Sequence, residues 1–188
     1  MDKEQILQAA AQIISQKGFH ATSMQDIAEA VNLQKASLYH HFSGKQEILL
    51  MLLDQAIDFL TERVEPIVGQ DLPAGEKLRQ AVRAYLEALS ERKDLISVLL
   101  LEYRSLDPRS LARHIPRRDR FEQQWRKIIQ EGVVSGEFSA TDTALTARAL
   151  LSVLNWTVTW YKSTGPLTIE QIADHAAGLF LNGLLRRK

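Results

Sequence analysis

The chain has 188 residues, 23 basic against 23 acidic side chains, five histidines and no cysteine. That length is enough for a substantial buried core, and the absence of thiols excludes disulfides, thiolate catalysis and zinc sites built on sulfur while fitting a reducing, cytoplasmic setting. Zero net charge argues against indiscriminate nucleic-acid binding, which phosphate neutralisation dominates, so any such role must rest on where the charges sit.

The first residues, Met1-Asp2-Lys3-Glu4-Gln5, contain no apolar signal core. The longest apolar run, Ile48 to Leu53, is far shorter than the ~20 residues a membrane helix needs, so no membrane partner is expected. Apolar residues recur at helical spacing almost throughout, punctuated by five prolines and nine glycines, with no alternating strand pattern; an all-α fold is predicted. The first helix is expected over residues 3–17, with Ile6, Ala10, Ile13 and Ile14 inward and Gly18 ending it. Met24, Ile27, Ala28 and Val31 mark one face of a second helix by their i, i+3, i+4, i+7 spacing. Asn32 stands where the chain must reverse, and asparagine tolerates a left-handed backbone at modest cost. A third helix follows with Leu38 and Phe42 inward. Lys35, Ser37, Tyr39 and His40 face outward, as donors and acceptors suited to phosphate oxygens and base edges. Gln34 precedes this helix and is a poor cap, so packing of Leu33 and Leu38 is expected to hold its start. A fourth helix begins at Lys45, carries Ile48, Leu49, Leu52, Leu53, Ile57 and Leu60, and is expected to break at Pro66, Gly69 and Pro73. Further helices are predicted over residues 74–90, 94–105, 117–135, 141–162 and 169–186. Asp107-Pro108 reads as a start signal, Pro116 as an interruption, Gly136 as a stop, and Thr168 with Gln171 as a capping box.

Within this series, Ala28 to Lys45 packs a helix end, a tight turn and a short polar helix into few residues, the grammar of a helix-turn-helix. Gly18-Phe19 closes the first helix, Thr22-Ser23 opens the second and Asp26-Ile27-Ala28 lies within it. Leu38-Tyr39-His40-His41-Phe42 forms the third, and Lys45 opens the fourth. In these features the first quarter of the chain resembles the DNA-binding domain of the TetR family of bacterial transcriptional regulators, departing from it at Asn32, usually glycine, and at Gln34, often a capping serine. The resemblance implies a three-helix DNA-binding domain at residues 1–46, joined by a linking helix to a larger ligand-binding and dimerisation domain at 47–188. It implies phosphate contacts from Thr22, Ser23, Tyr39 and Lys45 and base contacts from Gln25, Lys35, Ser37 and His40. Lys35 can donate to guanine and Gln25 can pair with adenine. His41, beside Phe42, reads as structural. The first fifty residues hold four lysines against five carboxylates, a net charge of −1, so one protomer is expected to bind DNA poorly and to depend on dimerisation.

Toward the C-terminus, Trp156 and Trp160 stand four apart on one helix face. Core or dimer interface is one reading and a ligand pocket the other, since apolar cores and pockets share a composition. This stretch resembles, more loosely, the segment of TetR-family repressors that sense coenzyme A thioesters of fatty acids or degraded sterols. Six arginines fall between Arg104 and Arg120, opposed by Asp107 and Asp119. They form a solvated surface on the plain reading and clamps for the phosphates of a thioester on the sharper one. Tyr103, Arg104, Phe121 and Trp125 then join Trp156 and Trp160 as effector residues. The resemblance also assigns the last two helices, through Leu150, Leu154, Ile172, Ala176, Phe180 and Leu184, to a dimer interface, which a two-fold reader of a palindrome requires. The histidines show no metal spacing, and neither a glycine-rich phosphate loop nor a nucleophile–base motif occurs, so no catalysis, cofactor or metal is expected. The expectation is a cytoplasmic homodimeric repressor that binds a double-stranded operator and is released by a small hydrophobic effector. That effector is an acyl-CoA thioester or, alternatively, a hydrophobic drug or other metabolite. A helical interaction scaffold is the rival reading, and it leaves the segment Asn32 to Lys45 unexplained.

Overall fold

Helices end where their unpaired amides and carbonyls find other partners, and these partners are visible along the chain in the computed structural model, which describes residues 2–139 and 142–184. Helix α1, Lys3–Lys17, begins in a capping box: the Asp2 carboxylate accepts from Gln5 N at 2.9 Å, and the Gln5 side chain accepts from Asp2 N at 3.2 Å. It stops at Gly18, whose φ of +82° suits glycine. Helix α2, Met24–Ala30, opens on a second box, with Asp26 accepting from Ser23 N at 2.7 Å and from the Ser23 hydroxyl, and Ser23 Oγ accepting in return from Asp26 N at 3.1 Å. Asn32 takes the left-handed conformation expected of it, φ +54°, and turns the chain into α3, Lys35–His41. Gln34 makes no side-chain cap there; Leu38 and Phe42 are completely buried instead.

Helix α4, Lys45–Val68, passes through Pro66 to its last turn rather than ending before it. A proline that close to the C-terminus deprives one carbonyl of its partner, on an exposed stretch where water can replace it. Lys77 then caps the end: its buried ammonium donates to Val68 O at 3.1 Å and to Glu131 Oε2 at 2.8 Å. Helices α5, Ala74–Glu91, and α6, Lys93–Glu102, follow, and a 3-10 turn, Tyr103–Ser105, leads to α7, Pro108–Val134. Asp107 accepts from Ser110 N at 2.8 Å to start α7. Pro116 does not interrupt it. The penalty of about 3 kcal/mol for an interior proline is outweighed by burial of Phe121, Trp125, Ile128 and Ile129 farther along the helix. After α7 the backbone folds back on itself so that a Cβ on Gly132 would collide with the Phe138 ring, which leaves no room there for a side chain. Asp142 caps α8, Thr143–Trp160, through Ala144 N and Leu145 N, both at 2.9 Å. Thr168 and Gln171 form the expected box at the start of α9, Ile169–Leu184. The remaining residues of the predicted last helix lie outside the described residues.

These helices belong to two compact units, Met1–Asp58 with Arg92–Arg117, and Phe59–Glu91 with Arg118–Lys188. In the first, α1 packs on α2 and α6, and α2 packs on α3. Residues 92–117 join this unit through α6, which is bound to α1, where Ser15 Oγ also donates to Asp94 Oδ1 at 2.9 Å. In the second unit α5 lies along α9 and touches α8. Its centre is aromatic: Trp125 meets Tyr85 and Phe121 edge-on at centroid distances of 5.9 and 6.2 Å. The Tyr85 hydroxyl donates to Asn155 Oδ1 at 2.5 Å, and burial pushes its phenol well above the usual range. No helix among the described residues is long and apolar enough to cross a membrane.

Two outcomes follow from this packing. Trp125→Ala should cost roughly 3–5 kcal/mol in a urea melt, as expected for emptying a fully buried tryptophan site. Hydrogen bonds from Ser23, aided by the neighbouring Lys17 ammonium, hold the Asp26 carboxyl down to about 2. Because that value lies below the ordinary ~3.9, the carboxylate stabilises α2 above pH ~4 and ceases to do so as pH falls through about 2. Thermal melts should therefore place Asp26→Asn below the parent at pH 7 and bring the two together on acidification.

Candidate nucleic-acid interface and effector residues

The outer side of α3 presents Lys35, Tyr39 and His40 to solvent, Tyr39 with 49% of its surface free, with Ser37 half-buried beside them. Ser23 and Gln25 are exposed at the start of α2, the Gln25 amide donating to Glu29 Oε1 at 2.7 Å. Two other residues of the expected DNA set direct their polar atoms to the protein's own backbone. Thr22 is 1% exposed, and its hydroxyl donates to Gly18 O at 2.8 Å. The Lys45 ammonium donates to Phe19 O at 2.8 Å and Thr22 O at 2.6 Å, and stands 4.3 Å from the centre of the Phe19 ring. It closes the loop between α1 and α2. His41 is half-buried, with its ring tilted toward Phe42 at 6.4 Å.

Next to Lys45, Gln46 performs a task that sequence reasoning missed. Its amide nitrogen donates to Ser105 O at 2.9 Å and its amide oxygen accepts from Asp107 N at 3.0 Å, so one side chain brackets the buried Leu106. Ser105 Oγ lies 3.3 Å from His20 Nε2 and donates to Glu102 Oε2 at 3.0 Å. The first turn of α4 thus grips the α1–α2 loop with one residue and the 3-10 turn with the next. Nothing in local spacing announces a partner 59 residues away.

The six residues expected to meet an effector are divided between the two units. Tyr103 and Arg104 belong to the first unit, where Arg104 Nε donates to the neighbouring Tyr103 hydroxyl at 3.0 Å. Phe121 and Trp125 are core of the second. Trp156 and Trp160, also of the second unit, are 65% and 50% exposed. The arginine run is partly neutralised: Arg117 Nη1 reaches both Asp58 oxygens at 2.6 and 2.7 Å, and Arg118 pairs with Asp119 at 3.4 Å. Arg109 and Arg113 line a cleft of about 460 Å³, together with the carboxylates of Glu47, Asp54 and Asp107.

On the last two helices, Leu150 and Leu154 are fully buried within the unit and Ile172 nearly so, while Ala176 and Phe180 are half-buried. Leu184 closes α9, but its side chain lies outside the described residues. Val153, Trp156, Trp160, Leu167 and Leu179 are exposed instead and border an open groove of about 780 Å³. Their spacing is as helical as that of the buried set, so only packing distinguishes the two.

A further pair went unread in the sequence. His114 on α7 is 1% exposed, with Nδ1 2.9 Å from Asp54 Oδ1 on α4, and its Nε2 has no hydrogen-bond partner among the described residues. No cluster of three or more histidine or carboxylate side chains suited to a metal occurs among the described residues.

Comparison with known proteins agrees with this architecture at both ends of the chain. Residues 6–52 match the model of bacterial regulatory proteins of the tetR family, and residues 71–184 match that of the tetracyclin repressor-like C-terminal domain. The HTH-type transcriptional repressor KstR2 of Mycolicibacterium smegmatis is 29% identical over 184 residues, covering 97% of this chain and 90% of the relative. The crystal structure of PfmR from Thermus thermophilus, a TetR family transcriptional regulator, superposes with a TM-score of 0.88 at 37% identity, covering 98% and 100% of the two chains. AibR, solved in complex with isovaleryl coenzyme A and operator DNA, superposes with a TM-score of 0.87 at 28% identity over 94% and 96%. With both of its regions matched in order, and with an outward polar helix borne on a helix-turn-helix, this chain belongs to the TetR family of bacterial regulatory proteins.

Proposed function

We propose that the protein is a cytoplasmic, ligand-responsive transcriptional repressor that binds a palindromic operator as a homodimer. The observation that carries this reading is α3: a seven-residue helix that buries Leu38 completely and turns Lys35, Tyr39 and His40 outward. In a dimer, two such helices enter successive major grooves about 34–36 Å apart. Residues 1–46 read DNA, with Lys35, Ser37, His40 and Gln25 toward bases and Tyr39 and Ser23 toward phosphates. Thr22 and Lys45 serve the same surface from within by holding the α1–α2 loop in place.

The second copy covers the exposed groove of α8 and α9. Trp156, Trp160, Leu167 and Leu179 are too large and too well grouped to remain in water without reason, and aromatic anchors of this kind dominate interface energetics. The larger C-terminal part, residues 47–188, senses the effector. A coenzyme A thioester is the favoured class, supported by the likeness to AibR, solved with isovaleryl coenzyme A and operator DNA. The 24% identity over 184 residues to the Bacillus subtilis fatty acid metabolism regulator protein points the same way. An effector that binds preferentially to the non-reading conformation, with a coupling of roughly 1–3 kcal/mol, weakens operator binding about 5–150-fold.

Fluorescence anisotropy on DNA from upstream of the protein's own gene tests the assignment. The protein should prefer a palindrome there over random duplex, and affinity should fall steeply with salt. Lys35→Ala should cost about 1–3 kcal/mol on the operator and relax sequence preference; equal binding to every duplex would remove the regulator reading. The interface has its own test. Trp156→Asp should sediment as a monomer, keep the parent's helical circular dichroism because the side chain is exposed in the single chain, and lose operator affinity by about 2 kcal/mol or more. A dimeric Trp156→Asp protein would place the interface elsewhere.

A further inference from the structure

The lysines around the reading helix are largely engaged by the protein itself. Of the four in residues 1–58, Lys17 pairs with Asp26 at 3.3 Å, the Lys45 ammonium is taken up by two backbone carbonyls, and Lys3 stands 5.1 Å from the centre of the Phe42 ring. Lys35 has no such partner among the described residues, and seven carboxylates oppose the four lysines. Affinity for a duplex depends on how many phosphates a protein neutralises, so further cations are needed. The other stretch of the same unit supplies them: residues 92–117 carry six basic side chains against three carboxylates.

One of the six is built against the reader. The 3-10 turn Tyr103–Ser105 abuts the α1–α2 loop, where Ser105 Oγ lies 3.3 Å from His20 Nε2. The single hydroxyl proton of Ser105 goes to Glu102 Oε2 at 3.0 Å, so its oxygen accepts from Nε2–H. Gln46 holds the same turn through Ser105 O at 2.9 Å. Arg104 is thus carried on a turn fixed to the loop in which Ser23, three residues after His20, opens α2. Its Nε donates to the Tyr103 hydroxyl at 3.0 Å, and its guanidinium stands 5.7 Å from the centre of that ring. These contacts orient the side chain and leave both terminal nitrogens without a hydrogen bond among the described residues. Arg104 is exposed, and no carboxylate pairs with it among the described residues; the adjacent Glu102 is engaged by Ser105.

We propose that Arg104 binds a DNA backbone phosphate next to the one met at the start of α2, which makes the 3-10 turn a second contact surface flanking each half-site. The inference rests on the operator-binding reading above and moves Arg104 from the effector to the DNA. The two terminal nitrogens of a guanidinium form a planar fork that matches phosphate oxygens. Phosphates carry no sequence information, so this contact strengthens binding to every duplex alike and leaves the choice of operator to α3.

The test follows the full-length protein by anisotropy on its operator and on a random duplex of equal length, across a salt series. Arg104→Gln should weaken both complexes by the same factor. Its slope of log affinity against log salt should be shallower than the parent's by about 2, one phosphate for each protomer of the dimer. The gap to the parent should accordingly close roughly tenfold between about 50 and 200 mM salt. Arg104→Lys, which keeps a point charge, should recover most of the slope. Lys127→Gln, the same change of charge at an exposed lysine of the second unit, should leave it as in the parent. An unchanged slope in Arg104→Gln, an equal fall in Lys127→Gln, no recovery in Arg104→Lys, or a loss confined to the operator overturns the phosphate contact while the regulator reading stands. A parent protein that prefers no duplex overturns that reading and this assignment with it.

Discussion

A helix of seven residues does not persist in water by itself, because nucleation is costly and isolated helices shorter than ~12–15 residues are marginal. The polar helix α3 is that short and has no side-chain N-cap. It exists only because Leu38 and Phe42 are driven completely into the first unit, and the rest of the molecule is arranged around keeping that seat in place. The Asp26 box fixes the start of α2, Asn32 supplies the left-handed step between the two helices, and Lys45 ties down the loop that precedes them. Each of these is a backbone group satisfied by a side chain or a turn residue suited to its backbone, which is how a small polar segment acquires a defined geometry without a large core.

The same requirement explains why the first unit reaches beyond the N-terminal helices. Residues 92–117 belong to it through α6 on α1, through Ser15 and Asp94, and through the Gln46 amide bracketing Leu106. A displacement of the 3-10 turn is therefore felt directly at the first turn of α4. The buried His114–Asp54 pair joins α7 to that helix farther along, and it is polar where the surroundings of α3 are apolar. A hydrogen bond imposes direction, and an apolar contact does not.

The second unit divides its aromatic residues by role. Tyr85, Phe121 and Trp125 pack against one another in its interior, whereas Trp156 and Trp160 stand outside on α8. Composition does not separate these groups; depth does. The leucines of α8 behave in the same way, with Leu150 and Leu154 inside while Val153 and the tryptophans border the groove.

Much of the fold was legible in the residues themselves. The bounds of α1, the Asn32 turn, the missing cap at Gln34 and the Thr168–Gln171 box all depend on groups within four positions of each other, and at that range side-chain chemistry dictates backbone conformation. Pro116 shows where that range ends. Locally it reads as a break, and the apolar burial farther along α7 overrides it. The Gln46 bracket, the His114–Asp54 pair, the inward turn of Thr22 and the exposure of Trp156 were decided by tertiary structure alone. The first two join residues about sixty positions apart, and the exposure of Trp156 depends on which side of a helix finds a neighbour. By itself the chain determined an all-helical regulator with a reader at its start; only packing decided which of its polar atoms are free to meet something else.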